Sequence, residues 1–317
     1  MNYYQFQKDL LQGKISSEQL IQTFEELETR PLTKNQFLEI YKASQESQIQ
    51  IKTNFDIVDF VGTGGDIFDT FNISTISALM FADFSQNKNL LVAKHGNRSA
   101  TSSVGSADLL EKLGVSFDAS EFEINQSLQE KQFSFVFAPI FNPGFRFAKI
   151  ARNTFAKKTY FNLLGPLLNP TNPKFMIIGL YDLSLVNYYL EVLPSTTVEK
   201  AWIVRGRSGI NEIDPTGITE VVEYSKNGIK NFELSPSDFG IKAINRKNLA
   251  TGNLEYNTNL AKSILGCECT DWDKVNAVLV NIASMLVITG QFNLKTAMQI
   301  CQNNYQNHKS KSAELQI

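Results

Sequence analysis

The chain has 317 residues, 43% of them hydrophobic and 20% charged, with a formal net charge of −2. This length and composition suit a globular enzyme with one large core and a smaller domain, and the near-neutral charge gives no basic footprint for nucleic acid, so any phosphate handling is local. Cys267, Cys269 and Cys301, with His95 and His308, lack zinc-ligand spacing and argue against a structural zinc or a disulfide framework.

Met1 to Leu11 carries Lys8, Asp9 and several amides rather than a continuous apolar stretch, so no signal peptide is expected and a cytoplasmic location is. Residues 1 to about 52 read as helical: Tyr4, Phe6, Leu10 and Leu11 precede Gly13, Ser16 and Ser17 can start a helix through Phe24 and Leu27, and Thr33 can start another with Phe37, Ile40 and Tyr41. From Ile57 the pattern changes to apolar runs alternating with helical segments, the grammar of an α/β domain. Ile57 to Val61, Asn89 to Ala93, Phe133 to Ala138, Phe175 to Tyr181 and Ala201 to Val204 are strand candidates. Asn142 to Thr159 reads as a basic and aromatic helix with its approaches. Asn227-Gly228 between Thr219 to Tyr224 and Ile229 to Leu234 predicts a tight hairpin. Val275 to Gly290 is apolar but shorter than the roughly 20 residues that span a bilayer, which predicts a core helix. The tail from Asn307 is expected to fray.

Two polar stretches stand out where a strand is expected to end and a helix to begin. The first is Gly62-Thr63-Gly64-Gly65-Asp66, running on to Asn72-Ile73-Ser74-Thr75; the second is Lys94-His95-Gly96-Asn97-Arg98, running on to Gly105-Ser106-Ala107-Asp108. Glycines let a backbone approach a ligand, N–H groups at a helix start favour anions, and Lys94 adds a compact positive charge. A glycine cluster alone is more often only a turn, and neither a Walker-type phosphate loop nor a dinucleotide fingerprint is present. Ser74 reads equally as a plain helix cap, and Ser106 as the cap of a helix ending near Gly114. His95 has a near-neutral ordinary pKa, yet packing is at least as good a reading as proton transfer. Arg152, alone, reads as one more solvated arginine.

These stretches, with Thr159-Tyr160-Phe161-Asn162-Leu163-Leu164-Gly165-Pro166-Leu167-Leu168-Asn169-Pro170, resemble the anthranilate phosphoribosyltransferase family in order and spacing from about Asp56 onward. The resemblance implies an α/β fold of the nucleoside phosphorylase and anthranilate phosphoribosyltransferase type. A small helical domain at 1–52, with a segment near 142–162 returning to it, would face a large α/β domain at 53–317 across the active cleft. It implies transfer of the phosphoribosyl group of 5-phosphoribosyl 1-pyrophosphate to anthranilate in tryptophan biosynthesis, with magnesium, and a homodimer built through the helical domain.

Carried onto matching positions, the phosphoribosyl pyrophosphate site comprises Gly62, Gly65, Asp66, Thr70, Asn72, Ile73, Ser74 and Thr75 in the first stretch. In the second it comprises Lys94, His95, Gly96, Asn97, Arg98, Ser99, Ala100, Thr101, Ser102 and Ser106. Gly62, Asn97 and Arg152 would contact anthranilate, Arg152 through its carboxylate. Ser74, Asn211 and Glu212 would face metal, and no dedicated acid or base is implied. Two positions depart from the family pattern: Asn142 stands where a histidine is usual, and Asn211 where an aspartate binds magnesium. An amide brings no negative charge, so one magnesium site is expected at Glu212 and a second, weakened one at Asn211. A pyrimidine nucleoside phosphorylase, which shares the Lys94-His95-Gly96 resemblance, and a noncatalytic binding relative are the rival readings.

Overall fold

The computed structural model describes residues 1–64, 70–85, 89–98, 104–117, 120–290 and 292–307. Three helices come first: α1 (Tyr3–Leu11), α2 (Ser17–Thr29) and α3 (Lys34–Glu46). Their starts are local sequence events. The Ser16 hydroxyl accepts from Gln19 N at 3.2 Å while the Gln19 side chain accepts from Ser16 N at 3.0 Å, and Thr33 and Gln36 repeat this reciprocal cap on α3.

A seven-stranded sheet follows, ordered β3-β2-β1-β4-β5-β6-β7. The strands are β1 (Asp56–Gly62), β2 (Leu90–Gly96), β3 (Phe133–Phe137), β4 (Phe175–Gly179), β5 (Lys200–Gly206), β6 (Thr219–Ser225) and β7 (Gly228–Leu234). The first five in this order are parallel; β6 and β7 join antiparallel. The Asn227-Gly228 hairpin is present, with Gly228 at φ 130°. Two expectations need correction at β2 and beyond it. The strand does not end at Ala93 but runs through Lys94 and His95 to Gly96, paired with β3 to that point. Ser106 is not a cap: Gly105 holds the cap position, and Ser106 is the first helical residue.

Between the strands lie α4 (Ile73–Phe84), α5 (Ser106–Lys112), α6 (Glu121–Lys131), the short α7 (Ala138–Phe141), α8 (Lys149–Phe155), α9 (Tyr160–Leu164) and α10 (Val186–Val192). The chain closes with α11 (Leu254–Leu265), α12 (Trp272–Ile288) and α13 (Leu294–Asn307). One sheet face, carrying Val58, Phe60, Val92 and Ile177, is covered by α4 and by α12, which is buried along most of its length. None of the helices among the described residues is long and apolar enough to cross a membrane.

The opposite face, through Met176, Ile178, Ala201 and Ile203, shares a core with Leu10, Leu20, Phe24, Phe37 and Ile40 of the N-terminal helices. The segment from Pro143 to Leu164 lies in this same core through Ala148, Ala151, Tyr160 and Phe161. Buried polar contacts stitch the layers: the Tyr160 hydroxyl donates to Gln7 at 3.0 Å, and Gln7 to Ser44 at 2.9 Å. Asn142 is bonded internally, accepting from Gln48 at 3.0 Å and donating to the Ala138 carbonyl at 3.2 Å.

Helix α8, which carries Arg152, ends on Ala156 at φ 55°. A left-handed backbone is costly for a residue with a Cβ and nearly free for glycine. Ala156→Gly is therefore expected to stabilise the fold by about 0.5–1 kcal/mol, after allowing for glycine's looser unfolded state. Urea unfolding checks this, and an unchanged or lowered midpoint would contradict it.

Candidate functional site

The β1–β2 ladder joins Asp56, Ile57 and Val58 to Leu90, Leu91 and Val92 and ends there. β1 nevertheless stays paired with β4 through Gly62, and β2 with β3 through Gly96, so the two strands part at their C-terminal ends. In a mostly parallel sheet, ligands bind outside the carboxyl ends of the strands. The groups that a continued ladder would have paired are taken by side chains. The Lys94 ammonium donates to the Phe60 carbonyl at 2.6 Å, and His95 N donates to the Asp59 carboxylate at 3.3 Å. Asn169 donates to the same carboxylate and to the Ala93 carbonyl, both at 2.8 Å.

These groups are all buried. Burial pulls the Lys94 ammonium below its ordinary pKa, against the opposing pull of Asp59 and Glu212. Burial likewise raises the Asp59 carboxyl to about 7, with Lys94, Asn169 and the His95 amide working against the rise. Burial, then the neighbouring Lys94 charge, lowers His95 to about 4, so its imidazole is neutral near pH 7.

The two shifts have opposite consequences for stability. A histidine that resists protonation in the fold contributes fully above its ordinary value of 6.5 and loses that contribution as pH falls toward 4. An aspartate that resists ionisation contributes fully below 3.8 and loses the contribution as pH rises toward 7. Between about pH 7 and 5 the two contributions run in opposite directions and oppose one another. Relative to wild type, Asp59→Asn is expected to lose stability on acidification over that range, and His95→Asn to gain it. Urea midpoints at both pH values test this; parallel curves for all three proteins would contradict it.

The first polar stretch is held at two ends. Thr63 N donates to the Gly179 carbonyl at 2.9 Å, Asn162 donates to the Thr63 carbonyl at 3.5 Å, and Asn211 donates to the Gly64 carbonyl at 3.2 Å. Gly179 has to be glycine, because a Cβ there would run into the Asn211 carbonyl. Gly62 lies against the same strand end. Gly65 and Asp66 lie outside the described residues, as do Ser99, Ala100, Thr101 and Ser102 and the tail from residue 308.

Thr70 bridges to Ala250, and Asn72 takes the cap position of α4 without a capping hydrogen bond from its side chain. Its amide donates instead to the Val104 carbonyl at 3.0 Å, tying the start of α4 to the segment after β2. Ile73 and Thr75 are buried in α4. Ser74 is not the cap either: its N–H donates to Glu212 at 2.9 Å, so a carboxylate from the β5–β6 connection closes the helix start.

That connection is braced by Asp214, which accepts from Ser208 and Thr216, and by Asn281, which accepts from Ile213 N at 3.2 Å. Asp214, Asn281 and Asp59 are supporting residues that local motif reading missed, and Asn169 lies in the Thr159 to Pro170 segment without a role assigned from sequence. Asn211 Oδ1 is buried without a hydrogen-bond partner among the described residues. Among the described residues no group of three His, Cys, Asp or Glu side chains forms a metal cage by itself. An amide oxygen, the Glu212 carboxylate and the Ser74 hydroxyl are nevertheless oxygen donors of the kind a hard cation takes.

Gly96 packs where a Cβ would meet the Phe135 ring at 2.9 Å and collide with the Ser106 hydroxyl, which donates to the Asn97 carbonyl at 3.2 Å. Asn97 Oδ1 accepts from Arg98 N at 2.7 Å. Arg98 itself is committed to α5, pairing with Asp108 at 2.8 Å and Glu111 at 2.9 Å and lying over the Phe117 ring. Arg152 differs. It lies 5.2 Å from the Phe161 ring centroid and is in no ion pair among the described residues, while burial lowers its pKa from the ordinary value.

A cavity of about 340 Å³ lies elsewhere, among Leu79, Val115, Phe133 and Leu265, and shares no residue with this constellation. The site is therefore defined by its donors rather than by that hollow.

The chain is similar to known proteins over most of its length. Residues 54–309 match the model of the glycosyl transferase family, a/b domain. The chain is 39% identical to an anthranilate phosphoribosyltransferase of Desulfatibacillum aliphaticivorans over 77% of its own length and 70% of that protein's. It superposes on anthranilate phosphoribosyltransferase from Thermus thermophilus with a TM-score of 0.84 at 30% identity, covering 95% of this chain and 89% of that one. The enzyme from Saccharomyces cerevisiae, solved in complex with PRPP and Mg, gives 0.82 at 27% identity, covering 92% and 81%. A parted β1–β2 mouth lined by the Gly62 and Lys94 stretches, on a sheet flanked by an N-terminal helical layer, thus occurs in a chain that belongs to the anthranilate phosphoribosyltransferase family.

Proposed function

We propose that this protein transfers the phosphoribosyl group of 5-phosphoribosyl 1-pyrophosphate to the amine of anthranilate, a step of L-tryptophan biosynthesis. The observation that carries the reading is the parted mouth of β1 and β2. There a buried ammonium is held by the Phe60 carbonyl, the start of α4 is closed by Glu212, and the Gly64 turn is clamped by Asn211. In the reaction the amine nitrogen bonds to the ribose anomeric carbon as that carbon's bond to pyrophosphate breaks. The bonding pair leaves with pyrophosphate, and the amine proton passes to pyrophosphate or solvent.

The protein's share is orientation and charge. Lys94 stabilises negative charge on the departing group, and Arg152 holds the anthranilate carboxylate in a planar, two-point grip. His95 lines the pocket as a neutral ring. We place residues 1–52, with the returning segment 142–162, on one side of the cleft and 53–317 on the other. A cytoplasmic homodimer is the assembly we expect.

Glu212, Ser74 and Asn211 would hold magnesium, whose chemistry there is neutralisation of the pyrophosphate oxygens. We place one firm site at Glu212 and a weakened one at Asn211. Asn211→Asp is expected to tighten magnesium binding measured by calorimetry. It is also expected to lower the magnesium concentration needed for half-maximal rate; identical titrations for both proteins would remove the argument.

Incubating the protein with 5-phosphoribosyl 1-pyrophosphate, magnesium and anthranilate tests the main reading, because anthranilate fluorescence is consumed as product forms. Fluorescence that persists at high protein concentration would sink it.

A further inference from the structure

Lys94 and Asp59 lie on opposite faces of the sheet. Along β1, Asp59 follows the parity of Ile57, which packs with Leu91, Ala93 and Val136, whereas Lys94 follows that of Val92, which packs with Phe60. Asp59 is fully buried and forms no ion pair among the described residues. Its oxygens are instead occupied by His95 N and Asn169, and Asn169 Oδ1 is fixed in turn by Thr171 N at 3.1 Å and by the Thr171 hydroxyl at 2.7 Å.

The arrangement sits at one place, directly beyond the last β1–β2 pair. Two strands that part inside a core leave carbonyls and N–H groups without ladder partners, a cost of about 1–3 kcal/mol for each one left unmet. The carbonyls of Phe60 and Ala93 and the N–H of His95 are met here by Lys94, Asn169 and Asp59. A buried carboxylate is a costly way to satisfy one N–H. Its negative charge behind the sheet also favours the ammonium in front.

We infer that Asp59 and Asn169 are positioning residues for phosphoribosyl pyrophosphate binding, holding β1 and β2 apart and keeping Lys94 aimed into the gap. The inference rests on the proposed function. Neither residue touches substrate; both act through Lys94 and the strand ends.

Calorimetric titration of 5-phosphoribosyl 1-pyrophosphate with magnesium into wild type, Asp59→Asn and Asn169→Ser, beside the KM for anthranilate and the melting temperature of each, provides the test. Both variants are expected to weaken phosphoribosyl pyrophosphate binding by about tenfold or more, the low end of what losing an orienting partner costs at a liganded site. The anthranilate KM should rise clearly less than phosphoribosyl pyrophosphate binding weakens, because the carboxylate grip of Arg152 is on α8, even though Gly62 and Asn97 adjoin the strand ends.

Variants that bind phosphoribosyl pyrophosphate as wild type does would overturn the inference. So would equal weakening for both substrates, or two variants that do not fold, since each outcome makes the pair a stability device only. A wild-type protein that binds no phosphoribosyl pyrophosphate would overturn the proposed function instead.

Discussion

Lys94→Met is expected to lower kcat/KM for 5-phosphoribosyl 1-pyrophosphate by about two to three orders of magnitude, the range found when one preorganised charge-stabilising donor is removed. The same variant should fold nearly as stably as wild type. Lys94 is 3% exposed, and among the described residues its hydrogen bond is to the Phe60 carbonyl rather than to a carboxylate. Methionine fills similar volume without the desolvation cost of an ammonium, which is on the order of several kcal/mol per buried ion. Against this stands one unpaired carbonyl at about 1–3 kcal/mol.

Asp59 would lose its nearest positive charge in that variant. Because burial already raises it to about 7, it can take up a proton instead of remaining an isolated anion. The contrast is the content of the prediction: large in catalysis, small in urea midpoint. Near-normal turnover with a collapsed midpoint would show that Lys94 serves the fold and not the leaving group.

Much of the architecture could be read from local sequence because it is locally determined. Ser16 and Thr33 start helices by accepting from backbone N–H groups three residues on, and Asn227-Gly228 turns a hairpin within four residues. Motif spacing likewise carried the two stretches that bound the mouth. The failures fall where the partner is distant. Lys94 and His95 read as loop because polar residues end an apolar run, yet they continue the strand where parted neighbours need polar replacements.

Ser74 read as a possible cap because serine commonly is one. The group that closes α4 is Glu212, 138 positions away. Asp59 gave no motif at all, since its amide partner Asn169 lies 110 positions along the chain. Ser106 was displaced from the cap by Gly105, which has no side chain to offer; the capping contact instead runs from Gly105 N to Asp108 at 3.1 Å. In each case tertiary placement decided what a local rule left open.

Arg152→Gln should raise the KM for anthranilate by about 10- to 100-fold while leaving the affinity for 5-phosphoribosyl 1-pyrophosphate close to wild type, since a hydrogen bond to a charged group is worth about 1.5–3 kcal/mol. Two other arginines already have acidic partners. Arg98 holds Asp108 and Glu111, and Arg207 holds Glu220 and Glu233. Arg152 is instead half-buried on α8 and stacked over Phe161, with burial disfavouring its charged form. A desolvated guanidinium without a carboxylate is an incomplete pair, and a substrate that brings one completes it.

The neighbouring contact explains how that pair reaches the other substrate: Asn162, next to Phe161, donates to the Thr63 carbonyl in the glycine turn. Arg152→Lys should recover only part of the loss, because an ammonium keeps the charge but neither the flat stack nor the two-point grip. Equal KM values for the lysine and glutamine variants would mean that shape rather than charge decides. An unchanged anthranilate KM in both would remove Arg152 from the site.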